Sequence, residues 1–144
     1  MTEGSKRRLK LWIRLLGVTR RAENELREYL RVTHDTTLPR FDVMAALYRR
    51  RENMTMSDLS RMLLVSNGNA TVVVDRLEKD GLARRTPSET DRRTVFVGLT
   101  PEGLAAFESL AAGHEAEVAR IFARLGDEDV DAMTEILKRA ERDE

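Results

Sequence analysis

The strongest constraint on the fold lies between Thr55 and Thr100, where the apolar spacing changes from helical to alternating. Thr55 offers a helix cap with Asp58 three residues on, near the pattern in which each side chain satisfies the other's free backbone N–H; Leu59, Met62 and Leu63 then recur at helical spacing. This predicts a short helix ending near Leu64. Ser66 offers a second cap. Ala70, Val73, Val74 and Leu77 follow at i, i+3, i+4 and i+7, an apolar stripe on a second helix that Gly81 stops. Two strand-like runs, Leu82 to Pro87 and Thr94 to Leu99, flank the polar residues 88–93, with Val95, Val97 and Leu99 alternating inward. A helix, a tight turn, a second helix and a basic hairpin predict a mainly α chain with a small β-hairpin wing, a winged helix-turn-helix.

That order assigns work to the residues left off the apolar stripe. Asn67, Gly68, Asn69, Thr71 and Val72 lie at the start or on the far side of the second helix, where a recognition helix meets base edges in a major groove. An Asn amide can pair with adenine, the Thr71 and Val72 methyls can touch a thymine methyl, and Gly68 allows close approach. Ser66 at the cap joins this set, because the free N–H groups of a first turn suit a phosphate. The bland alternative is that Ser66 and Asn69 only cap a surface helix. The hairpin tip carries Arg92 and Arg93, and the strand entering it carries Arg84 and Arg85. Such a wing suits phosphates or a minor groove, whereas two arginines elsewhere would read as a solvated turn.

SDLSRMLLVSNGNATVVVDRLEKDGLARR and the wing SETDRRTVFVGLTPEG together resemble the MarR family of transcriptional regulators, and the resemblance runs over essentially the whole chain. It implies an obligate homodimer with recognition helices in successive major grooves and wing arginines in the flanking minor grooves. By position it implies that Asp91 braces the wing, that Arg92 and Arg93 touch DNA and that Arg76 reaches the backbone. It further implies a division into dimerisation helices, 1–36 and 101–144, and a DNA-binding lobe, 38–100. The recognition segment looks most like the branch controlling aromatic-acid, hydroxycinnamate-type catabolism. A small aromatic acid or its acyl-CoA thioester is therefore the expected effector, bound between the lobes and lowering DNA affinity. The candidates for that cleft are Trp12, Leu16, Arg20, His34, Phe41, Met44 and Tyr48, with Lys6, Arg7, Arg8, Lys10 and Arg14 available to the phosphates of a CoA group. The alternative reading makes Phe41, Met44 and Tyr48 plain core and the basic cluster a solvated start.

The remaining periodicity supplies the helices of that dimer. Leu9, Trp12, Ile13 and Leu16 begin a stripe that continues through Ala22, Leu26, Tyr29 and Leu30, predicting a long first helix; Pro39 opens another with Phe41, Met44, Ala45 and Tyr48 on one face. Thr100 caps a third, on which Leu104, Phe107, Ala111, His114, Val118, Ile121 and Leu125 form a heptad-like seam up to Gly126. Asp127 then recaps a final helix lined by Val130, Met133, Leu137 and Ala140. A seam of this kind wants a partner helix, so a two-fold interface between terminal helices is expected, and with it a pseudo-palindromic operator.

Composition bounds the reading. The chain has 144 residues and no cysteine, which excludes disulfides, thiolate metal sites and thiol-based sensing. Its net charge of zero hides a gradient: residues 1–31 hold nine basic and four acidic groups, and residues 100–144 hold five basic and twelve acidic. Arg14, Arg20 and Arg21 interrupt any apolar run near the N-terminus, so a cytoplasmic protein without membrane association is expected. The two histidines, His34 and His114, stand far apart and outside any nucleophile elbow, phosphate loop or zinc spacing, so no catalytic residue, metal or cofactor is expected. His114 falls on the seam and reads as a packed histidine. The rival to a repressor is a helical dimerisation adaptor without specific DNA binding, from which Arg92 and Arg93 discriminate.

Overall fold

The computed structural model describes residues 1–51 and 54–141. In chain order these form α1 (Glu3–His34), α2 (Leu38–Arg50), β1 (Met54–Thr55), α3 (Met56–Leu63), α4 (Asn67–Lys79), β2 (Ala83–Pro87), β3 (Val95–Leu99), α5 (Pro101–Ile121) and α6 (Asp127–Glu141). Hydroxyl caps set most of the helix starts. Thr2, Thr37, Thr55, Ser66 and Thr100 each accept a backbone N–H from the first turn that follows. At Thr55 the box is complete: its hydroxyl accepts the Asp58 N–H at 3.1 Å, and the Asp58 carboxylate accepts the Thr55 N–H at 3.1 Å. The Thr55 N–H first, and then the Thr55 hydroxyl beside it, hold the Asp58 carboxyl below its ordinary pKa.

The core gathers around α2, which buries Leu38, Phe41, Val43, Met44, Ala46 and Leu47 and packs against α1, α3, α4, α5 and β3. Leu30, Met54, Leu59, Val74 and Leu77 are fully enclosed around it. Each such side chain contributes about 1.5–3 kcal/mol of hydrophobic stabilisation. The three strands form one antiparallel sheet in the order β1-β3-β2, with Arg84 opposite Gly98, Arg85 opposite Val97 and Thr86 opposite Phe96. The sheet has a strand that periodicity did not reveal: β1 is two residues long, too short to alternate, yet it pairs Met54 with Val97.

Two close approaches join the wing to α5. The Thr100 hydroxyl donates to the Gly81 carbonyl at 2.6 Å and accepts the Gly103 N–H at 3.0 Å. A Cβ on Gly103 would run into the carbonyl oxygen of Leu82, so the glycine of the LTPEG run is a packing requirement. Gly81 itself adopts φ +77° just beyond the α4 cap.

Three expectations need correction. α5 ends at Ile121 rather than Gly126, and residues 122–125 form turns. α6 starts at Asp127, and the cap before it is Gly126 rather than Asp127: the Gly126 N–H donates to the Asp129 carboxylate at 3.1 Å and its carbonyl accepts the Val130 N–H. Val95, expected to point inward, is exposed, because the hairpin has by then left the body of the lobe; Val97 is buried and Leu99 half-buried.

The two ends of the chain are unlike the centre. The first half of α1 exposes Leu9, Leu11, Trp12, Ile13 and Val18, and α6 has no buried residue while exposing Val130, Met133, Ile136 and Leu137. The last three residues of the expected 101–144 dimerisation segment lie outside the described residues. No helix among the described residues is long and apolar enough to cross a membrane.

Candidate nucleic-acid interface

The turn between α3 and α4 is tight because Leu64 takes a left-handed conformation, φ 57°, with its side chain 92% exposed. Such a backbone costs a leucine about 1–2 kcal/mol. The geometry is closed by Val65 N–H donating to the Ser60 carbonyl at 3.1 Å. It delivers the start of α4 to the surface with Asn67, Gly68, Asn69 and Val72 exposed, while Ala70, Val74 and Leu77 are buried beneath.

Ser66 caps through its hydroxyl, which accepts the Asn69 N–H at 3.1 Å, and Thr71 donates its hydroxyl to the Asn67 carbonyl at 2.7 Å. The Thr71 hydroxyl is thus occupied within the helix and its methyl is the group left for an outside contact. No acidic residue sits in the first turn of α4, so the positive end of the helix dipole is not neutralised from within.

The wing is braced at its tip and at its base. At the tip the Asp91 carboxylate accepts the Arg93 N–H at 3.0 Å and the Thr94 hydroxyl at 2.9 Å. These contacts, the backbone one first, hold the Asp91 carboxyl below its ordinary range, so it stays ionised and keeps the turn folded. Arg92 and Arg93 are exposed and have no carboxylate partner among the described residues. The same holds for Arg76 on α4. At the base Arg85 donates to Asp75 at 2.5 Å and to Glu78 at 2.7 Å, tying β2 to the recognition helix.

The two arginines entering the wing therefore differ. Arg85 faces α4 and is neutralised, whereas Arg84, one residue earlier, lies on the opposite sheet face with Thr86, Phe96 and Gly98. There it lines a cleft behind the wing rather than the surface that α4 presents. Sequence reasoning missed the Arg85 strut, although Asp75 and Glu78, one turn apart on α4, were its visible signal.

The expected effector residues do not converge within one protomer. Trp12 and His34 lie on the same continuous helix, 22 residues apart, which is roughly 33 Å along its axis. Trp12 and Arg20 are exposed and Leu16 half-buried on the first half of α1. Phe41 and Met44 are core, as the plainer alternative had it, and Tyr48 packs its ring against Phe107 with centroids 4.7 Å apart. His34 is hydrogen-bonded through Nε2 to the Tyr29 hydroxyl at 3.1 Å, beside Gly113, whose missing Cβ makes room for that hydroxyl. His114 stacks on Phe41 at 4.0 Å, and burial lowers its pKa. No group of three metal-ligating side chains assembles among the described residues.

A short helix, a tight turn, an exposed helix start and a tethered basic hairpin define a winged helix-turn-helix DNA-binding protein. Known proteins place it further. The pattern of the MarR family matches residues 34–94. The chain is 32% identical to the HTH-type transcriptional regulator MhqR of Bacillus subtilis over 96% of its own length and 92% of that protein's. Among solved structures it is similar to a mutant MarR from E. coli complexed with operator DNA, at 25% identity and TM-score 0.83, covering 98% of this chain and all of that one. It is likewise similar to AbsC, a MarR family transcriptional regulator from Streptomyces coelicolor, at 28% identity and TM-score 0.83, covering 97% and 93% of the two chains. The chain belongs to the MarR family and is a DNA-binding transcriptional regulator, not an enzyme.

Proposed function

We propose that the protein is a cytoplasmic repressor that binds a pseudo-palindromic operator as a homodimer and is released by a small aromatic acid or its acyl-CoA thioester. The observation that carries the dimer is α6, a helix of 15 residues with no buried side chain and four exposed large apolar ones. Isolated helices shorter than about 12–15 residues are marginal in water, so such a helix is held by packing against something. The exposed apolar half of α1 offers the matching surface, and a second copy supplies both. Residues 1–36 with 101–144 then form the dimer lobe and 38–100 the DNA lobe.

In this reading Asn67, Gly68, Asn69, Thr71 and Val72 read bases, Ser66 and Arg76 meet backbone, and Arg92 and Arg93 enter the minor groove. The guanidinium groups at the wing tip, without a carboxylate partner among the described residues, and the start of α4, without an acidic residue in its first turn, support it. The aromatic-acid signal rests on the likeness of the recognition segment to that branch of the family.

The test is fluorescence anisotropy on DNA flanking the protein's own gene, with and without aromatic acids and their CoA thioesters. Two-fold specific binding is expected, released by one compound class. Arg92→Ala with Arg93→Ala should leave the dimer intact and reduce the salt dependence by about one unit of slope per lost phosphate contact. A dimer that binds no specific DNA, and loses nothing on that double substitution, would be the adaptor instead.

A further inference from the structure

We infer that the cleft behind the wing is a regulatory site for a small organic acid, with its carboxylate held between Arg51 and Arg84. This rests on the proposed response to an aromatic acid and names the place where the free acid binds. The cleft measures about 370 Å³ and is lined by Leu47 and Arg51 of the α2 end, Arg84 and Thr86 of β2, residues 96–99 of β3, and Leu104 of α5. That volume lies at the lower end of the roughly 300–1,000 Å³ typical of small-molecule sites.

The cleft exists because of the hairpin's register and of one missing side chain. Arg84 pairs with Gly98 and Thr86 with Phe96, so all four share one sheet face. A Cβ on Gly98 would meet no atom within 4 Å, so the space in front of that strand is open where another residue would fill it. Leu47, Phe96 and Leu104 give it an apolar wall suited to a flat body.

Two cations, Arg51 and Arg84, line this space. Arg51 closes α2 in a left-handed conformation, φ 49°, with its N–H donating to the Leu47 carbonyl at 3.0 Å. Its guanidinium lies 4.2 Å over the Tyr48 ring, which fixes it in place. Neither Arg51 nor Arg84 has a carboxylate partner among the described residues, whereas neighbouring Arg85 has two. Two guanidinium forks beside an apolar wall are complementary to a carboxylate on a flat ring. A ligand there bridges the ends of α2 and α5 to the base of the hairpin, and so biases the position of the wing that carries Arg92 and Arg93.

The experiment is equilibrium dialysis of para-hydroxycinnamate and its uncharged methyl ester against the full chain, alongside operator anisotropy. The proteins are the natural chain, Arg51→Met and Gly98→Leu, each checked for folding by its thermal midpoint. The acid is expected to bind, the ester at least tenfold more weakly, and each substitution to weaken the acid at least tenfold. Gly98→Leu acts by filling the cleft and Arg51→Met by removing charge at similar volume, so one variant suffices if the other does not fold. Absence of binding to the natural chain, or binding that both substitutions leave unchanged, overturns the site. Operator release that survives both substitutions also overturns it while the aromatic-acid reading stands. Binding that is lost in the variants but never changes operator affinity leaves a binding cleft without a regulatory role, and overturns both the inference and that reading.

Discussion

Leu59 in α3 and Ile136 in α6 both sit on amphipathic helices, yet Leu59 is fully enclosed and Ile136 is 52% exposed. The contrast extends to their surroundings. The winged lobe closes on itself: α2 is covered on several sides, its helices are capped, and Arg40 to Asp80 at 2.8 Å and Arg85 to Asp75 and Glu78 tie its elements together. The first half of α1 and all of α6 leave their apolar stripes open. The DNA-reading half is thus specified within one chain, while the terminal helices leave apolar faces that the proposed second copy would cover.

Charge placed on α6 has the largest expected effect. Met133→Asp with Ile136→Asp should convert the dimer to a monomer in sedimentation equilibrium and leave the winged lobe folded. Operator affinity should then fall by about 10²–10⁴-fold, since two linked half-site contacts become one. The dependence of the thermal midpoint on protein concentration should vanish with it. A double variant that stays dimeric would move the interface elsewhere.

A second substitution pair separates the two regions by stability alone. Leu59→Ala should cost about 2–5 kcal/mol in urea unfolding, through lost burial and the cavity left behind. Ile136→Ala, measured at a concentration where the protein is monomeric, should stay within about 0.5 kcal/mol. Equal costs at that dilution would mean that α6 packs against its own chain in solution.

The parts legible in the sequence are those with a local physical signature. Thr55, Ser66 and Thr100 marked helix starts because a hydroxyl there meets free N–H groups, and Gly81 marked an end because its φ is positive. The alternation at Val97 and Leu99 marked the wing. What was not legible depends on partners distant along the chain. β1 is a strand only because β3 lies beside it. Arg84 and Arg85 look alike in sequence, but the register turns one to a cleft and the other to two carboxylates. Within one protomer the expected effector residues do not gather, because a helix as long as α1 separates Trp12 from His34, and the shared helical pattern carries no record of that distance.

The smallest effect to test lies where the two regions meet. His114, on α5, stacks on Phe41 of α2, and burial lowers its pKa below the ordinary value. A histidine depressed in the folded state is held neutral there, so the unfolded chain takes up the proton first as pH falls. The stabilisation is complete above the unfolded pKa of about 6.5 and is lost as pH drops from there toward the folded value. Urea midpoints should therefore fall between about pH 7.5 and about pH 5.5, and His114→Phe, which keeps a ring against Phe41, should flatten that part of the profile. An unchanged slope in the variant would assign the acid sensitivity to other groups and leave His114 as packing alone. A flattened slope would mean that acid loosens α5 against α2, the contact through which the winged lobe is joined to α5.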